Sequence, residues 1–190
     1  MRSRPITQLV IAATLAIAAA AGCTPSPKGP QGPTRPIASW AGDEAKLLDD
    51  GIDVGAVPLG DAAPARDEAS EELVPQRIEA SDGVVVAKVI AVSAEPLSDK
   101  RKRFRVELSV TETLAGKAPG ATLELEIAPN GPAFGTVRAL DARLIGRRLV
   151  VFYRRYVSED GEAITHFHLS PPTKEMLEAV GLHKAKSQFD

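Results

Sequence analysis

The chain predicts a mainly β domain: a small closed five-stranded Greek-key barrel, with a short helix between its third and fourth strands and another helix at its C-terminal end. Three observations carry this expectation. Residues 103–113 and 122–127 alternate apolar and polar side chains with the period of two of a half-buried strand. Residues 84–92 and 149–153 are apolar at almost every position, as strands covered on both faces are. Turn-forming pairs and prolines separate these segments at short intervals.

The domain opens at Asp82 and Gly83, and the Val-Val-Val-Ala-Lys-Val-Ile-Ala-Val run of 84–92 predicts a central strand. In the second strand Phe104, Val106, Leu108 and Val110 face one way, and Arg105, Glu107, Ser109 and Thr111 the other. Residues 114–120 are turn chemistry. The third strand places Leu123, Leu125 and Ile127 inward and Thr122, Glu124 and Glu126 outward. Residues 129–132, Pro-Asn-Gly-Pro, break the chain, and Val137, Leu140 and Leu144 then recur at helical spacing with Gly146 as a stop. A fourth strand over 149–153, a hairpin signal at Asp160 and Gly161, and a fifth strand over 163–169 follow. Residues 173–180 read as a short helix, capped at the Ser170-to-Thr173 stretch and stopped at Gly181.

Five strands with a helix between the third and fourth is the OB arrangement. Residues 82–89, 104–108, 111–116 and 144–152, with their Leu-x-Gly turn and Gly-x-x-Leu-x-x-Phe strand, resemble the netrin-like (tissue-inhibitor-of-metalloproteinase-like) OB barrels. The resemblance spans roughly residues 82–180 and implies a closed barrel. Disulfides of that family have no counterpart here, because Cys23 is the only cysteine. Inhibitory members use a cysteine on the barrel as a metal-chelating wedge, so protease inhibition does not carry over.

Cys23 belongs to a different signal. Arg2 and Arg4 precede an uncharged apolar run over 9–21, too short to span a bilayer, which takes about 20 residues. A basic start, an apolar run and small residues make a secretory signal peptide. Its ending, Ala20-Ala21-Gly22-Cys23, resembles the lipobox of bacterial lipoprotein precursors, with Ala20 where that family most often has leucine. The resemblance implies cleavage before Cys23 and acylation of that residue, including with palmitate. Several acyl chains anchor stably where one is marginal, each buried methylene contributing about 0.8 kcal/mol. Thr24 in place of aspartate implies sorting to the outer membrane. The expected division is therefore a signal peptide over 1–22, an anchored and extended segment over 23–76, the β domain over 77–183 and a tail over 184–190.

Between anchor and domain, residues 24–36 hold five prolines and two glycines, which excludes helix and ladder and predicts an extended tether. Residues 43–73 carry ten acidic residues against two basic ones. A short helix begins at Asp43 and stops at Gly51, and the rest has the composition of a solvated, disordered linker. The sharper alternative is a segment that folds on contact with a partner, using Trp40, Leu47 and Leu48 as anchors.

Candidate sites are few. His166 and His168 share one face of the fifth strand, opposite Phe167 and Leu169, and two imidazoles so placed can chelate a transition metal, with His183 as a third. Against this, the pair also suits the wet face of a half-buried strand. Basic clusters stand at 100–105 and at Arg147, Arg148, Arg154 and Arg155. Such clusters on OB folds bind single-stranded nucleic acid, but an exported, anchored chain points instead to anionic lipid or lipopolysaccharide phosphates. None of Ser39, Ser81, Ser93, Ser109 or Ser170 has the Gly-x-Ser-x-Gly context of a nucleophile elbow, and the glycine-rich 130–135 segment lacks a phosphate-loop lysine. The expectation is a lipid-anchored envelope protein that is no enzyme and takes no cofactor. It would meet an envelope protein or anionic surface through loop 129–136 and cluster 100–105, and no nucleic acid. The alternative is a metal-binding module or metal-dependent enzyme built on His166 and His168.

Overall fold

The computed structural model describes residues 35–58 and 68–186. The expected signal peptide, Cys23 and most of the proline-rich tether lie outside the described residues, as does the tail from 187. The described chain forms seven strands and five helices: β1 (Arg35–Pro36), α1 (Asp43–Leu47), β2 (Gly51–Ile52), α2 (Glu68–Glu72), α3 (Val74–Ala80), β3 (Gly83–Pro96), β4 (Lys102–Gly116), β5 (Thr122–Ile127), α4 (Phe134–Leu144), β6 (Arg148–Val157), β7 (Ala163–Ser170) and α5 (Lys174–Lys186). No helix among the described residues is long and apolar enough to cross a membrane.

The fold is mainly β, but it is not a closed five-stranded barrel. One open mixed sheet runs in the order β2-β7-β6-β3-β4-β5, with β1 pairing β6. The five expected strands are present as β3 to β7 and pair antiparallel along this path. Closure fails because β5 and β7 approach one another without pairing, while the far edge of β7 is taken by β2, with Gly51 opposite His168 and Ile52 opposite Leu169. Both added strands, β1 and β2, are parallel and only two residues long. They come from the segment whose composition predicts a linker.

The central strand is β3, hydrogen-bonded to both β4 and β6. Its run of valines is covered on both faces because the sheet has a core on each side. Val85, Ala87 and Val89 point to one face with Phe104, Leu108, Leu125, Val151 and Phe167, over which α4 closes. Val84 joins Val150, Phe152, Met176 and Val180 on the opposite face, beneath α3 and α5. In β5 the alternation of buried and exposed residues follows the sequence residue by residue.

β3 and β4 cross closely at their ends, and glycine is required there. A Cβ at Gly83 would lie 2.2 Å from the Lys117 carbonyl oxygen, and one at Gly116, which has φ +66°, would lie 2.3 Å from that of Asp82. Three local expectations need revising. α1 begins after Gly42 and ends at Leu47, and the left-handed residue past its end is Asp50 (φ 54°), leaving Gly51 to β2. α5 runs through Gly181 to Lys186, since Gly181 keeps helical backbone with Val180 buried beside it. α4 is interrupted at Leu140, where φ is −130°. At the start of α5, Thr173 Oγ1 accepts from the Met176 amide at 3.2 Å, the cap the sequence indicates.

Candidate functional site

Two constellations emerge from this frame: a buried clamp that holds the N-terminal segment on the sheet, and an open cationic cleft.

The clamp lies on the face of β6 and β7 that α3 and α5 share. Alternation places Val150, Phe152, Arg154 and Tyr156 of β6 there, with His168 opposite Phe152 and His166 opposite Arg154. On a bare sheet this face would be wet, as the sequence suggests. Instead residues 35–58 and 68–80 cover it, and His166 and His168 are only 8% and 4% exposed. The segment expected as a solvated linker is thus, in these residues, part of the packed body. Leu48 is fully buried, and the Trp40 ring lies on the His166 imidazole at 3.5 Å, nearly parallel, with its Nε1–H donated to the Leu48 carbonyl. Trp40, Leu47 and Leu48 do act as anchors, on the chain's own sheet.

The acidic residues of this segment meet basic groups one by one. Asp50 bonds His166 Nδ1 at 2.8 Å and accepts from the Phe167 amide. Asp49 and Asp53 each stand 2.8 Å from a different nitrogen of His168, Nδ1 and Nε2. A neutral imidazole has one N–H, so two carboxylate contacts call for the protonated ring. Burial works against that charge, but the hydrogen bonds to Asp49 and Asp53 outweigh it, and the His168 pKa is raised. For Asp53, burial is likewise opposed and outweighed by the hydrogen bond and charge of His168, and its pKa is lowered. The chain of contacts continues from Asp53 to the Ser70 hydroxyl at 2.7 Å and from there to Arg77, which is 3% exposed. Beside it, Glu44 accepts from Arg154 at 3.0 Å and from the Tyr156 hydroxyl at 2.9 Å.

These contacts change the metal reading. His166 and His168 do share a face, but both Nδ1 atoms and His168 Nε2 already face carboxylates. His183 lies on α5. Among the described residues no group of three or more histidine, cysteine and carboxylate side chains is disposed to hold a metal ion. Arg154, expected in a solvated cluster with Arg147, Arg148 and Arg155, is 5% exposed and committed to Glu44.

The cleft lies where the β3–β4 hairpin meets α4. It encloses about 580 Å³ and brings together the two surfaces singled out in the sequence, cluster 100–105 and loop 129–136. Lys102 shares the inward face of β4 with Phe104, and Phe104 meets Phe134 of α4 at 5.3 Å to form an apolar floor. Helical spacing sets Arg138 and Asp141 on the same wall as Phe134. Lys100 sits at the hairpin turn with φ 67°, held by the backbone bond from the Leu97 amide to the Arg101 carbonyl.

The arginines of the cluster are neutralised. Arg101 pairs with Asp99, Arg103 with Glu95 and Glu126, and Arg105 with Glu95 and Glu124. Arg103 and Arg105 point away from the cleft because they alternate with Phe104. Lys100, Lys102 and Arg138, all lining the cleft, form no ion pair among the described residues. The sequence marks the hairpin, the loop and the helix that becomes α4, but not that α4 forms the second wall of a cleft. The Phe134, Arg138, Asp141 spacing was the available signal, and only the packing of α4 against the hairpin gives it meaning.

Compared with known proteins, the chain matches no protein-family model and no curated protein.

Proposed function

We propose that the protein is a lipid-anchored module of the bacterial cell envelope that binds a negatively charged partner in the cleft between the β3–β4 hairpin and α4. The observation that carries this reading is the separation of paired from unpaired cations. Arg103 and Arg105 are balanced by Glu95, Glu124 and Glu126, and Arg101, which also lines the cavity, by Asp99, whereas Lys100, Lys102 and Arg138 converge on the cavity with Asp141 as the carboxylate of its lining. Cations in a concave site attract and retain anions more strongly than the same charges spread over a convex surface. The role is binding, not catalysis. The anchor is the acylated Cys23 implied by the lipobox-like ending, and Thr24 favours the outer membrane.

The test is titration of the full chain, in neutral detergent micelles, with tripolyphosphate at low and at near-physiological salt. Salt-sensitive binding is expected, and it is lost on combined Lys100→Glu, Lys102→Glu and Arg138→Glu substitution. Binding that is absent, or undiminished in that variant, overturns the reading.

A further inference from the structure

We infer that the ligand of this cleft is a phosphorylated sugar head group, an inference that rests on the anionic-partner reading above and narrows it. Four features of the cavity select this chemistry over a simple anion. Its volume, about 580 Å³, is many times that of a phosphate group and lies within the range of small-molecule sites. Its unpaired cations come from two walls, Lys100 and Lys102 from the hairpin and Arg138 from α4, which suits one compact, multiply charged group between them.

Asp141 shares the cavity and would repel a ligand that is anionic throughout. A ligand with hydroxyl donors turns it to use: one carboxylate oxygen takes the Ala142 amide at 2.6 Å, and the other is left to accept from a hydroxyl. Asn130 adds an amide that both donates and accepts. Finally, the partly exposed Phe134, backed by the almost fully buried Phe104, gives the cavity an apolar surface that suits the C–H face of a sugar ring, whose hydroxyl edge is polar. Lys100 holds its place in a left-handed conformation that glycine or asparagine adopts at less cost. A charged side chain kept at such a position fits a role in the cavity.

The same head group occurs free or on a membrane lipid, and the experiment separates the two. Full-length protein in neutral micelles is titrated with a glucosamine disaccharide monophosphate, the unphosphorylated disaccharide, inorganic phosphate and tripolyphosphate. A glycolipid bearing the phosphorylated disaccharide is then incorporated into the micelle as competitor. The disaccharide monophosphate is expected to bind about tenfold or more tightly than either inorganic phosphate or the bare disaccharide, the worth of one added charge-assisted contact. Lys102→Gln abolishes the phosphate-dependent gain, and Asp141→Asn weakens the disaccharide monophosphate while leaving inorganic phosphate unchanged or stronger. Competition by the glycolipid beyond that of the soluble head group identifies the membrane as its source; equal competition identifies the free compound. If inorganic phosphate or tripolyphosphate binds as tightly as the disaccharide monophosphate, the sugar inference is overturned and the anionic reading stands. If none of the four binds, both fall.

Discussion

Raising the pH should loosen the grip of the N-terminal segment on the sheet, because His168 holds two carboxylates at once. Asp49 and Asp53 stand 2.8 Å from its two ring nitrogens, so both contacts are hydrogen bonds only while the ring is protonated. Deprotonation leaves a lone pair facing one carboxylate, and one charge-assisted bond of about 1.5–3 kcal/mol is lost. The folded-state pKa of His168 is raised above its ordinary value. This stabilisation is therefore complete below an unfolded-state pKa of about 6.5 and is lost as pH climbs through the higher folded-state value. Asp53 behaves oppositely: its pKa is lowered, so its contribution is present above the ordinary carboxylate value and fades as pH falls through the folded-state one.

The other groups around His168 are Arg77, which stays charged throughout, Ser70, and the neighbouring His166 with Asp50. Burial pushes the Tyr153 hydroxyl up to about 12 and raises Tyr156 as well, so neither ionises in this window. Urea denaturation at about pH 6 and about pH 9, followed by the emission of Trp40 and by far-UV circular dichroism, should show the loss at the higher pH. His168→Gln should cost roughly 3–5 kcal/mol at the lower pH, as expected when one partner leaves a buried charged group. It should also remove most of the pH difference, which His166→Gln should largely keep. Equal stability of the native protein at the two pH values, or the same alkaline loss in His168→Gln, would refute the clamp.

Three further outcomes are expected. Glu44→Ala leaves the buried Arg154 with only one ion pair among the described residues, at 3.9 Å to Asp82, and the buried Tyr156 hydroxyl without its acceptor, and should cost roughly 2–3 kcal/mol in urea denaturation, with faster proteolysis of residues 35–58. Gly83→Ala should destabilise by about 2 kcal/mol or more, because its Cβ would meet the Lys117 carbonyl oxygen at 2.2 Å; a melting temperature within a degree of the parent would show that the crossing relaxes freely. Cys23→Ala should move the protein from the membrane to the soluble envelope fraction, and unchanged fractionation would remove the anchor.

The core strands were legible because burial writes itself into local pattern. The Val84-to-Val89 run, the strict alternation of Thr122 to Ile127 and the hairpin pair at Asp160 and Gly161 each identify an element without reference to anything distant. Helix ends were less legible, because Gly51 and Gly181 can occupy a strand or a helix interior as well as a cap. The cleft was half visible: its hairpin and loop stand out in composition, while Arg138 and Asp141 look like any exposed helix residues.

What the sequence by itself determined was which residues seek burial and in what order the strands come, since side-chain period and turn chemistry act over a few neighbours. Three matters were decided only in three dimensions. Whether the sheet closes depended on β2 occupying the edge of β7 while β5 stayed unpaired. Whether the acidic segment is solvated depended on partners more than a hundred residues away: alone, Glu44, Asp49, Asp50 and Asp53 prefer water, but opposite Arg154, His166 and His168 they are bound into the fold. Whether a lysine or arginine is spent or available depended on which carboxylates the curled sheet brought to it. Charge pairing acts through space and not along the chain, so composition could count these charges but could not match them.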